Sequence, residues 1–541
     1  MDSRAVTQRL RAAKVLLDTG ILGPTRPSRA IRSMGVMRRW GLTPAAAYGT
    51  VAARYPDRAA LVDERGVMTF EQLERRSNAL ARGLSRAGVS EGDGVAIMAR
   101  NHRGFVEATA AVSKLGAGGL YLNTAFAGPQ IADVIAREDP VAVIYDEEFG
   151  GLVGDGARGR TRVLSWRDSD GDGAAGDELP GLDELIRDND DGPLQPPAEP
   201  GRTVILTSGT TGTPKGAARR QPDSIEPVAA LFSKIPLRAR QTTMIAAPLF
   251  HSWGFAHLTV ALPLASTMVL RRRFDAEDTL RAVAHHAATA LVVVPVMLQR
   301  ILELGEDTIA RYDTSSLRII ALSGSALPGE LATRAMDVFG DVLYNLYGST
   351  EVAWATIATP EDLRAAPGTA GRPPLGTVVK LLDESGREVP PGQTGRIFVG
   401  NEMVFEGYTG GGSKEVVGGL MSTGDVGRLD EAGRLFVEGR DDEMIVSGGE
   451  NVFPREIEDL LADHEHVEEV AVIGVPDDEF GQRLLAFVVA RPGRELSESD
   501  VQAYVRANLA RFKVPREVIF IEQLPRNATG KVLKRELQGG G

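Results

Sequence analysis

The sequence contains no cysteine among its 541 residues. Disulfides, thiolate metal sites and a thioester carried on the protein itself are therefore excluded, so any thiol used in chemistry must come from another molecule. Long apolar runs are also missing. The longest candidate, residues 290–298, contains Pro295, whereas a helix needs about 20 apolar residues to cross a bilayer. The amino terminus lacks the apolar segment of a signal peptide. These absences predict a cytoplasmic protein.

Lysine is scarce, and the charge is unevenly distributed. Only nine of the 61 basic residues are lysine, so a lysine inside a motif is not a generic surface charge. The formal net charge of −12 argues against nucleic acid as a partner, because phosphate contacts need a broadly basic face. Nine Arg or Lys stand against two Asp in the first 40 residues, which leaves a net charge of −19 on the rest.

The basic first 40 residues also have a helical apolar pattern. Val6, Leu10, Ala13 and Leu17 fall on one face of a predicted helix. Such a helix either packs on the body of the protein as a solvated helix or lies on anionic lipid as a peripheral membrane contact. The sequence leaves both interpretations open.

The pattern along the chain predicts at least two domains, since 541 residues exceed the size of one hydrophobic core. From residue 44 to 145, helix-like stretches (70–87 and 103–115) alternate with short apolar runs such as 94–98, which indicates βα units around a sheet. Residues 150–200 are rich in Gly, Asp and Pro and predict a surface excursion with little regular structure, although residues 161–166 have the pattern of a strand. The βα alternation returns over residues 204–347.

Beyond Gly376, short strands broken by Gly and Pro predict a β-rich subdomain, and the last 100 or so residues predict a small α+β domain with helices at 454–462 and 498–508. The predicted fold class is α/β: a large N-terminal domain of βα layers plus a β-rich subdomain, with a small C-terminal α+β domain on a hinge. We predict a basic N-terminal extension over 1–43, a large N-terminal domain over 44–440 and a small mobile C-terminal domain over 441–541.

The strongest chemical signal is the string Thr-Ser-Gly-Thr-Thr-Gly-Thr-Pro-Lys-Gly at residues 207–216, directly after an apolar run. Glycines allow close backbone approach, hydroxyls and amide N–H groups can cradle a polyphosphate, and a lysine adds a point charge. The string differs from a Walker A loop, which needs Gly-Lys-Ser/Thr. The predicted phosphate ligands are Thr207, Ser208, Gly209, Thr210, Thr211, Gly212 and Lys215.

This string resembles the phosphate loop of the adenylate-forming superfamily, which contains acyl-CoA synthetases, luciferases and peptide-synthetase adenylation domains. Four later segments resemble the superfamily's other motifs in the same order: 347–351 the adenine and magnesium motif, 422–425 the ribose motif, 439–442 the hinge, and 525–531 the catalytic-lysine motif. Five motifs in one order make coincidence negligible. The chain most resembles a fatty acyl-CoA synthetase.

The resemblance implies that ATP converts a carboxylic acid to acyl-AMP, with pyrophosphate leaving, and that CoA then takes the acyl group as a thioester. Lys531 suits the charge that develops on the α-phosphate, and Lys215 with Thr211 and Ser208 suits the leaving pyrophosphate. Glu351 would hold Mg²⁺, with Thr207 as a second ligand. The implied cofactors are ATP, Mg²⁺ and CoA.

The remaining implied site residues surround the nucleoside, the acyl group and CoA. Around the nucleoside, Tyr347 offers a ring face and Asn345 an amide to adenine, while Asp425 and Arg440 reach the ribose. The other members are Ser325, Gly348 and Thr350 near adenine, His251 as a catalytic candidate beside the acyl site, Trp253 and Phe255 in an acyl pocket, Asp441 and Asp442 in the hinge, and Ser447, Gly448, Gly449 and Glu450 on the CoA side. Each of the side chains singled out also has an ordinary structural interpretation; for Trp253 and Phe255 it is core packing.

The sequence says less about which acid is the substrate than about the reaction. No Asp lies in 251–255 to pair with a substrate ammonium group, and no carrier-protein domain follows Lys531. We therefore predict a medium- or long-chain fatty acid. An aryl or other carboxylic acid, a ligase that loads a carrier protein, and a nucleotide-binding scaffold without turnover stay as alternatives, and the oligomeric state, a homodimer included, is open.

Overall fold

The computed structural model describes residues 3–538 except 24, 42, 169–178, 208–214, 220–225, 410, 442–444, 448–449, 478–480, 510 and 528–529. Its α-helices are α1 (Ser3–Asp18), α2 (Pro27–Trp40), α3 (Pro44–Arg54), α4 (Phe70–Arg86), α5 (Arg103–Leu115), α6 (Gly128–Glu138), α7 (Gly150–Val153), α8 (Leu182–Arg187), α9 (Glu226–Phe232), α10 (Ser252–Ala261), α11 (Ala276–His285), α12 (Pro295–Glu303), α13 (Glu306–Ile309), α14 (Gly329–Phe339), α15 (Pro360–Ala365), α16 (Pro454–Ala462), α17 (Glu498–Asn508) and α18 (Lys534–Gln538). Among the described helices, none is long and apolar enough to cross a bilayer.

The strands are β1 (Ala59–Asp63), β2 (Gly66–Thr69), β3 (Gly94–Met98), β4 (Gly118–Tyr121), β5 (Ala142–Asp146), β6 (Thr161–Trp166), β7 (Thr203–Thr207), β8 (Lys215–Arg219), β9 (Thr242–Ile245), β10 (Thr267–Leu270), β11 (Ala290–Val293), β12 (Ile319–Leu322), β13 (Leu343–Tyr347), β14 (Thr356–Ala358), β15 (Val378–Leu382), β16 (Gly395–Gly400), β17 (Gly407–Tyr408), β18 (Val416–Val417), β19 (Leu420–Leu429), β20 (Leu435–Arg440), β21 (Ile445–Ser447), β22 (Glu450–Val452), β23 (Val467–Asp477), β24 (Gly481–Ala490) and β25 (Glu517–Phe520).

Two large, mostly parallel sheets form the N-terminal part. One has the order β14-β13-β12-β11-β9-β10-β1-β2, and the other has the order β17-β8-β7-β4-β3-β5-β6. Parallel neighbours need crossover connections, and helices supply them, as the predicted βα alternation required. One apolar core joins the two sheets, with Leu61 and Val269 from the first and Val95 and Ile144 from the second. The predicted βα layers are confirmed.

Local sequence signals account for the helix ends in this region. Thr69 caps α4 by accepting a hydrogen bond from the Gln72 N–H, and the Gln72 side chain accepts one from the Thr69 N–H. Gly116 ends α5 in the left-handed conformation, with φ +72°. Such caps and the apolar period are local, so the predicted helix at 103–115 has the bounds of α5.

The prediction of little regular structure over residues 150–200 is partly wrong because α8 forms there, whereas the strand predicted at 161–166 is present as β6. The segment contributes β6 to the second sheet, where β6 pairs in parallel with β5, and its α8 packs on α4. A Cβ on Gly83 of α4 would lie 3.0 Å from the Leu185 Cβ of α8, so the glycine permits this close approach. Two short elements inside a Gly- and Asp-rich stretch are stabilised by tertiary packing, which composition does not report.

The later part matches the predicted β-rich subdomain and small domain. An antiparallel sheet of order β15-β16-β19-β18, with β20 on β19, follows the N-terminal sheets. A separate sheet of order β22-β21-β24-β23, with β25 on β24, carries α16 and α17 on its own apolar core. The predicted fold class is confirmed. The boundary between 440 and 441 falls at the end of β20 and stays a prediction.

Gly371 is a position where we expect a large loss of stability on substitution. Its φ is +83°, and an added Cβ would lie 2.2 Å from the Ala358 backbone N. We expect Gly371→Ala to lower the free energy of unfolding by about 3 kcal/mol, from the left-handed conformation and the backbone clash together. Gly433→Ala is the matched control, because Gly433 has φ +74° but nothing within 4 Å of its Cβ position. Urea unfolding midpoints measure both variants, and equal midpoints would contradict the clash argument.

Candidate active site

A single cavity of about 950 Å³ runs between the N-terminal sheets, the β-rich subdomain and the small domain. Its walls include the loops after β12 and β13, the start of α10, the β19–β20 pair and the segment before α18. In parallel sheets, ligands bind beyond the carboxyl ends of the strands, because the chain leaves room there between diverging loops. Predicted site residues that the structure brings to this cavity are His251, Trp253, Phe255, Ser325, Asn345, Tyr347, Gly348, Thr350, Glu351, Asp425, Arg440 and Lys531.

The predicted phosphate loop connects two strands of the cavity wall. Thr207 ends β7 and Lys215 begins β8, and the two residues pair directly across this antiparallel hairpin. Ile205, Leu206 and Ala217 of the same hairpin line the cavity. Ser208, Gly209, Thr210, Thr211 and Gly212 lie outside the described residues, and so do the side chains of Thr207 and Lys215.

The predicted nucleoside end of the cavity is organised around a buried carboxylate. The Tyr347 hydroxyl donates to Asp425 Oδ2 at 2.6 Å, and Arg440 Nη1 lies 3.4 Å from Asp425 Oδ1. Asp425 and Arg440 face each other across the β19–β20 pair. Burial raises the pKa of the Asp425 carboxyl, while the nearby Arg440 charge and the Tyr347 hydrogen bond oppose that rise. The group is thus held in place as an acceptor at the cavity wall.

Asn345 supplies an unsatisfied polar atom at the same end. It lies in β13 and is only 6% exposed, and its Oδ1 has no hydrogen-bond partner among the described residues. An unpaired buried carbonyl is costly unless a ligand satisfies it. The exocyclic amine of adenine is the kind of donor that fits it. Gly348 beside it has no room for a side chain, since a Cβ would lie 2.3 Å from the Ala353 carbonyl oxygen.

Glu351 has the properties of a magnesium ligand. Burial would raise the pKa of its carboxyl, but hydrogen bonds from Tyr408 and Ser349 outweigh burial, and the pKa is lowered. The Tyr408 hydroxyl donates to Glu351 Oε1 at 2.7 Å, and the carboxylate lines the cavity. The described residues contain no cluster of three or more potential metal-ligating side chains. A single carboxylate is enough for Mg²⁺ that is bound to a polyphosphate, because phosphate oxygens and water supply most of the other ligands of that ion.

Lys531 enters the cavity from the small domain. Its backbone N–H donates to Asn527 Oδ1 at 2.9 Å, and the Asn527 N–H donates to the Lys531 carbonyl, so the preceding turn is tightly closed. Gly530 in this turn has φ +79°, and a Cβ there would lie 2.4 Å from Val296 Cγ1 of α12. The turn therefore lies against the large domain. In this position the Lys531 charge acts on the Asp425 carboxylate.

Lys414 is a cavity residue that the sequence interpretation missed. Its Nζ lies 3.1 Å from the position that a Cβ would take on Gly424, and its charge acts on both Asp425 and Glu351. With Arg440 and Lys531 it gives this part of the cavity three cations, which suits a polyphosphate. The scarcity of lysine was a usable signal, because it applies to Lys414 as it does to Lys531.

The predicted acyl end of the cavity is aromatic. His251 caps α10, accepting a hydrogen bond from the Trp253 N–H at 3.4 Å, and burial lowers the pKa of its imidazole to about 4. His251 is therefore neutral at pH 7. Trp253 is 3% exposed, and its Nε1 donates to the Val293 carbonyl, so it is both a core residue and a wall of the cavity. Phe255 contacts Tyr121, with ring centroids 4.7 Å apart.

The predicted hinge and CoA-side residues are only partly described. Asp441 Oδ2 accepts a hydrogen bond from Arg396 Nε at 3.0 Å, which ties the end of β20 to the β-rich subdomain. Asp442, Gly448 and Gly449 lie outside the described residues. Ser447 and Glu450 pair across β21 and β22, and their side chains are also outside the description.

Comparison with known proteins places the chain in a family. Residues 49–409 match the AMP-binding enzyme model, and residues 456–531 match the AMP-binding enzyme C-terminal domain. The chain is 35% identical to a 2-succinylbenzoate–CoA ligase of Geobacillus kaustophilus, over 89% of this chain and 95% of that one. It is 33% identical to a feruloyl-CoA synthase of Amycolatopsis, over 90% of this chain and 96% of that one. It is 31% identical to the fatty acid–[acyl-carrier-protein] ligase ScoC of Streptomyces coeruleorubidus, over 90% of this chain and 94% of that one.

Solved structures show the same architecture. The o-succinylbenzoate CoA synthetase of Bacillus subtilis in complex with its acyl-adenylate intermediate OSB-AMP superposes with a TM-score of 0.79 at 27% identity, over 91% of this chain and 97% of that one. ATP-bound MatB from Rhodopseudomonas palustris gives a TM-score of 0.81 at 27% identity, over 92% and 99%.

The chain belongs to the AMP-binding enzyme family. The predicted membership of the adenylate-forming superfamily is confirmed, and so is the predicted use of ATP, Mg²⁺ and CoA. The family and the similar proteins support an AMP-forming acid–CoA ligase, the class of enzyme that activates a carboxylic acid as acyl-AMP and transfers the acyl group to CoA.

Proposed function

We propose that the acid is an aryl or arylalkanoic acid and that CoA is the acceptor. This differs from the fatty acid favoured by the sequence interpretation. The observation that carries the proposal is the aromatic acyl end of the cavity, where Phe255 and Tyr121 lie in ring contact beside the neutral His251. Aromatic walls favour a flat aromatic guest through offset or edge contacts, worth about 0.5–1.5 kcal/mol beyond burial.

The names of the relatives support the same class. Succinylbenzoate, ferulate and indoleacetate are all acids that carry an aromatic ring. A solved relative, the anthranilate CoA ligase AuaEII in complex with anthranoyl-AMP, adds a fourth. Several similar enzymes thus act on ring-containing acids, and this chain presents aromatic rings at the proposed acyl end of its cavity.

A fatty acid is the second candidate, because the cavity does not stop at Phe255. It continues past Tyr121 to Thr109 and Val112 of α5 and to Tyr48 of α3, which gives room for an extended apolar tail. The similarity to ScoC, a fatty acid–[acyl-carrier-protein] ligase, also keeps a carrier-protein acceptor as an alternative.

The residue roles follow from the chemistry. A carboxylate oxygen of the acid attacks the α-phosphorus of ATP, a C(O)–O–P linkage forms, and the bond to pyrophosphate breaks. We assign Lys531 to the charge that develops on the α-phosphate, and Lys215 with the phosphate loop to the leaving pyrophosphate. Asn345, Tyr347 and Asp425 orient the nucleoside, with Ser325, Gly348 and Thr350 around it. Mg²⁺, held by Glu351 and Thr207, would neutralise polyphosphate charge.

The second half-reaction needs a different arrangement of the small domain. The CoA thiol attacks the acyl carbonyl, a thioester forms, and AMP leaves. In the present arrangement, Lys531 occupies the cavity. We propose that rotation about Asp441 and Asp442 withdraws Lys531 and brings Ser447, Gly448, Gly449 and Glu450 to the site. The Arg396–Asp441 contact would have to break or slide during that rotation.

A substrate panel tests the proposed acid. We expect pyrophosphate release with ferulate, indole-3-acetate and 2-succinylbenzoate to exceed that with octanoate and palmitate by at least about tenfold in kcat/KM, equivalent to roughly 1.4 kcal/mol of discrimination. Mass spectrometry of parallel reactions with CoA or with a phosphopantetheinylated carrier protein identifies the acceptor. A preference for palmitate would overturn the aryl assignment. Product on the carrier protein but not on CoA would overturn the proposed acceptor.

A further inference from the structure

The N-terminal helices expose an unusual number of large apolar side chains. The described part of the chain has twelve large hydrophobic residues that are exposed, and six of them fall within residues 10–37. These six form what we call the N-terminal apolar surface: Leu10 (66% exposed), Leu17 (57%), Leu22 (69%), Ile31 (69%), Met34 (67%) and Met37 (45%). A soluble protein rarely concentrates exposed apolar side chains in this way without a partner for them.

These helices are nevertheless packed on the protein by their other faces. In α1, Ala12 is 1% exposed, Leu16 packs against the main core, and Gln8 Nε2 donates to Glu226 Oε2 at 3.0 Å. Helix α2 packs along α3. The inward face of each helix is thus already occupied. Leu10 and Leu17, which the sequence pattern placed on one apolar face, point away from the body.

Basic side chains flank the exposed apolar ones. Arg9, Arg11, Lys14, Arg32, Arg38 and Arg39 are exposed, and none of the six forms an ion pair within the described residues. The first 40 residues carry nine basic against two acidic residues, while the rest of the chain is strongly acidic. An anionic bilayer would therefore repel most of the molecule and attract this part of it.

The N-terminal apolar surface is also close to the active-site cavity along the chain. Helix α2 ends at Trp40, α3 begins at Pro44, and Pro44 and Ala47 line the cavity. Helix α2 packs on α3, so a bilayer bound by α2 would be one helix away from a wall of the cavity. Carboxylic acids with apolar tails partition into bilayers, so this is the side from which such an acid would arrive.

We infer that α1, α2 and the turn between them form a docking surface for an anionic lipid bilayer. Its apolar side chains enter the acyl boundary while the arginines contact lipid phosphates and carboxylates. Each basic residue near an anionic surface adds to the attraction, and salt screens that attraction. The inference concerns attachment of the enzyme and does not depend on which acid is activated.

Co-sedimentation with sucrose-loaded vesicles tests the inference. We expect the full chain to bind phosphatidylcholine–phosphatidylglycerol (3:1) vesicles, and to bind pure phosphatidylcholine vesicles at least tenfold more weakly at 0.1 M salt. Ile31→Glu/Met34→Glu should lower the partition coefficient on the mixed vesicles at least tenfold. Val67→Glu is the matched control, because Val67 is an exposed apolar residue (61%) in β2, outside the N-terminal helices. Arg38→Glu/Arg39→Glu should lower binding and flatten its salt dependence.

Pyrophosphate release in vesicle-free solution and the thermal melting temperature show whether each variant is folded; both should match the unmodified protein. Binding of Ile31→Glu/Met34→Glu equal to that of the unmodified protein would overturn the inference, as would equal loss in Val67→Glu or no binding to mixed vesicles at all. Light scattering after gel filtration tests the rival occupant, a second copy of the chain. A dimer that becomes monomeric in Ile31→Glu/Met34→Glu, without vesicle binding by the dimer, would also overturn it.

Discussion

Replacing Lys531 with alanine is expected to lower the rate of acyl-AMP formation about 10³-fold, since one preorganised charge donor at the reacting centre contributes on this scale. Lys531 lies in the same cavity as Asp425 and Arg440, on a turn held against Val296. The variant should keep its affinity for ATP within about threefold, because the nucleoside contacts proposed for Asn345, Tyr347 and Asp425 are untouched and a surface-type cation contributes little to them. Acid-dependent pyrophosphate release and equilibrium ATP binding measure the two quantities.

Lys513→Ala is the matched control for this experiment. Lys513 belongs to the same small domain and pairs with Glu456, but it does not line the cavity. Its loss should leave pyrophosphate release unchanged. Transfer to CoA from acyl-AMP supplied ready-made should survive in Lys531→Ala, since the proposed thioester step uses the other arrangement of the small domain. Unchanged adenylation in Lys531→Ala would remove the assignment of this lysine to the α-phosphate.

Replacing Asp425 with alanine is expected to raise the KM for ATP about 100-fold. Hydrogen bonds to a charged acceptor contribute about 1.5–3 kcal/mol each, and the proposed ribose contacts would both be lost. The same change leaves the Tyr347 hydroxyl and the Arg440 guanidinium without their shared partner. The KM for the carboxylic acid should change far less, because the aromatic acyl end around Phe255 is a separate wall of the cavity.

Two comparisons separate a direct role of Asp425 from a supporting one. Tyr347→Phe removes the 2.6 Å hydrogen bond to Asp425 but keeps the ring proposed to face adenine, so its effect on KM should be about tenfold or less. Asp430→Ala, in the turn that joins β19 to β20, removes a carboxylate paired with Arg434 outside the cavity and should leave the KM unchanged. An ATP KM for Asp425→Ala within twofold of the unmodified value would refute the ribose role.

Several elements could be predicted because their causes are local. The bounds of α16 and α17 match the predicted helices at 454–462 and 498–508. The signals for these helices are the spacing of apolar residues, a proline at the start of α16 and the Ser497 cap of α17, and all of them lie within the helix or directly beside it. Residues 150–200 were predicted less well. There the strand predicted at 161–166 is present as β6 beside β5, whereas α8 was missed because it forms on contacts with α4, which lies far away along the chain.

The site shows the same division. Separate sequence motifs predicted Tyr347, Asp425, Arg440 and Lys531 as site residues. No local pattern predicts that Asp425 contacts both Tyr347 and Arg440. Lys414 was missed because it lies in a glycine-rich stretch without a recognised motif, and only the fold brings its ammonium group to Gly424. The N-terminal helix was predicted from its apolar period. The packing of α1 on α9 decides which apolar side chains of α1 stay exposed.

The amino-acid sequence by itself determined the family, the order of its motifs and the class of reaction, because phosphate binding and helix capping are carried by short runs of residues. The tertiary structure alone decided which side chains share one cavity, the aromatic character of its acyl end and the exposure of the N-terminal apolar side chains. Those properties depend on contacts between residues that are far apart along the chain, and such contacts form only when burial of the common core brings the segments together.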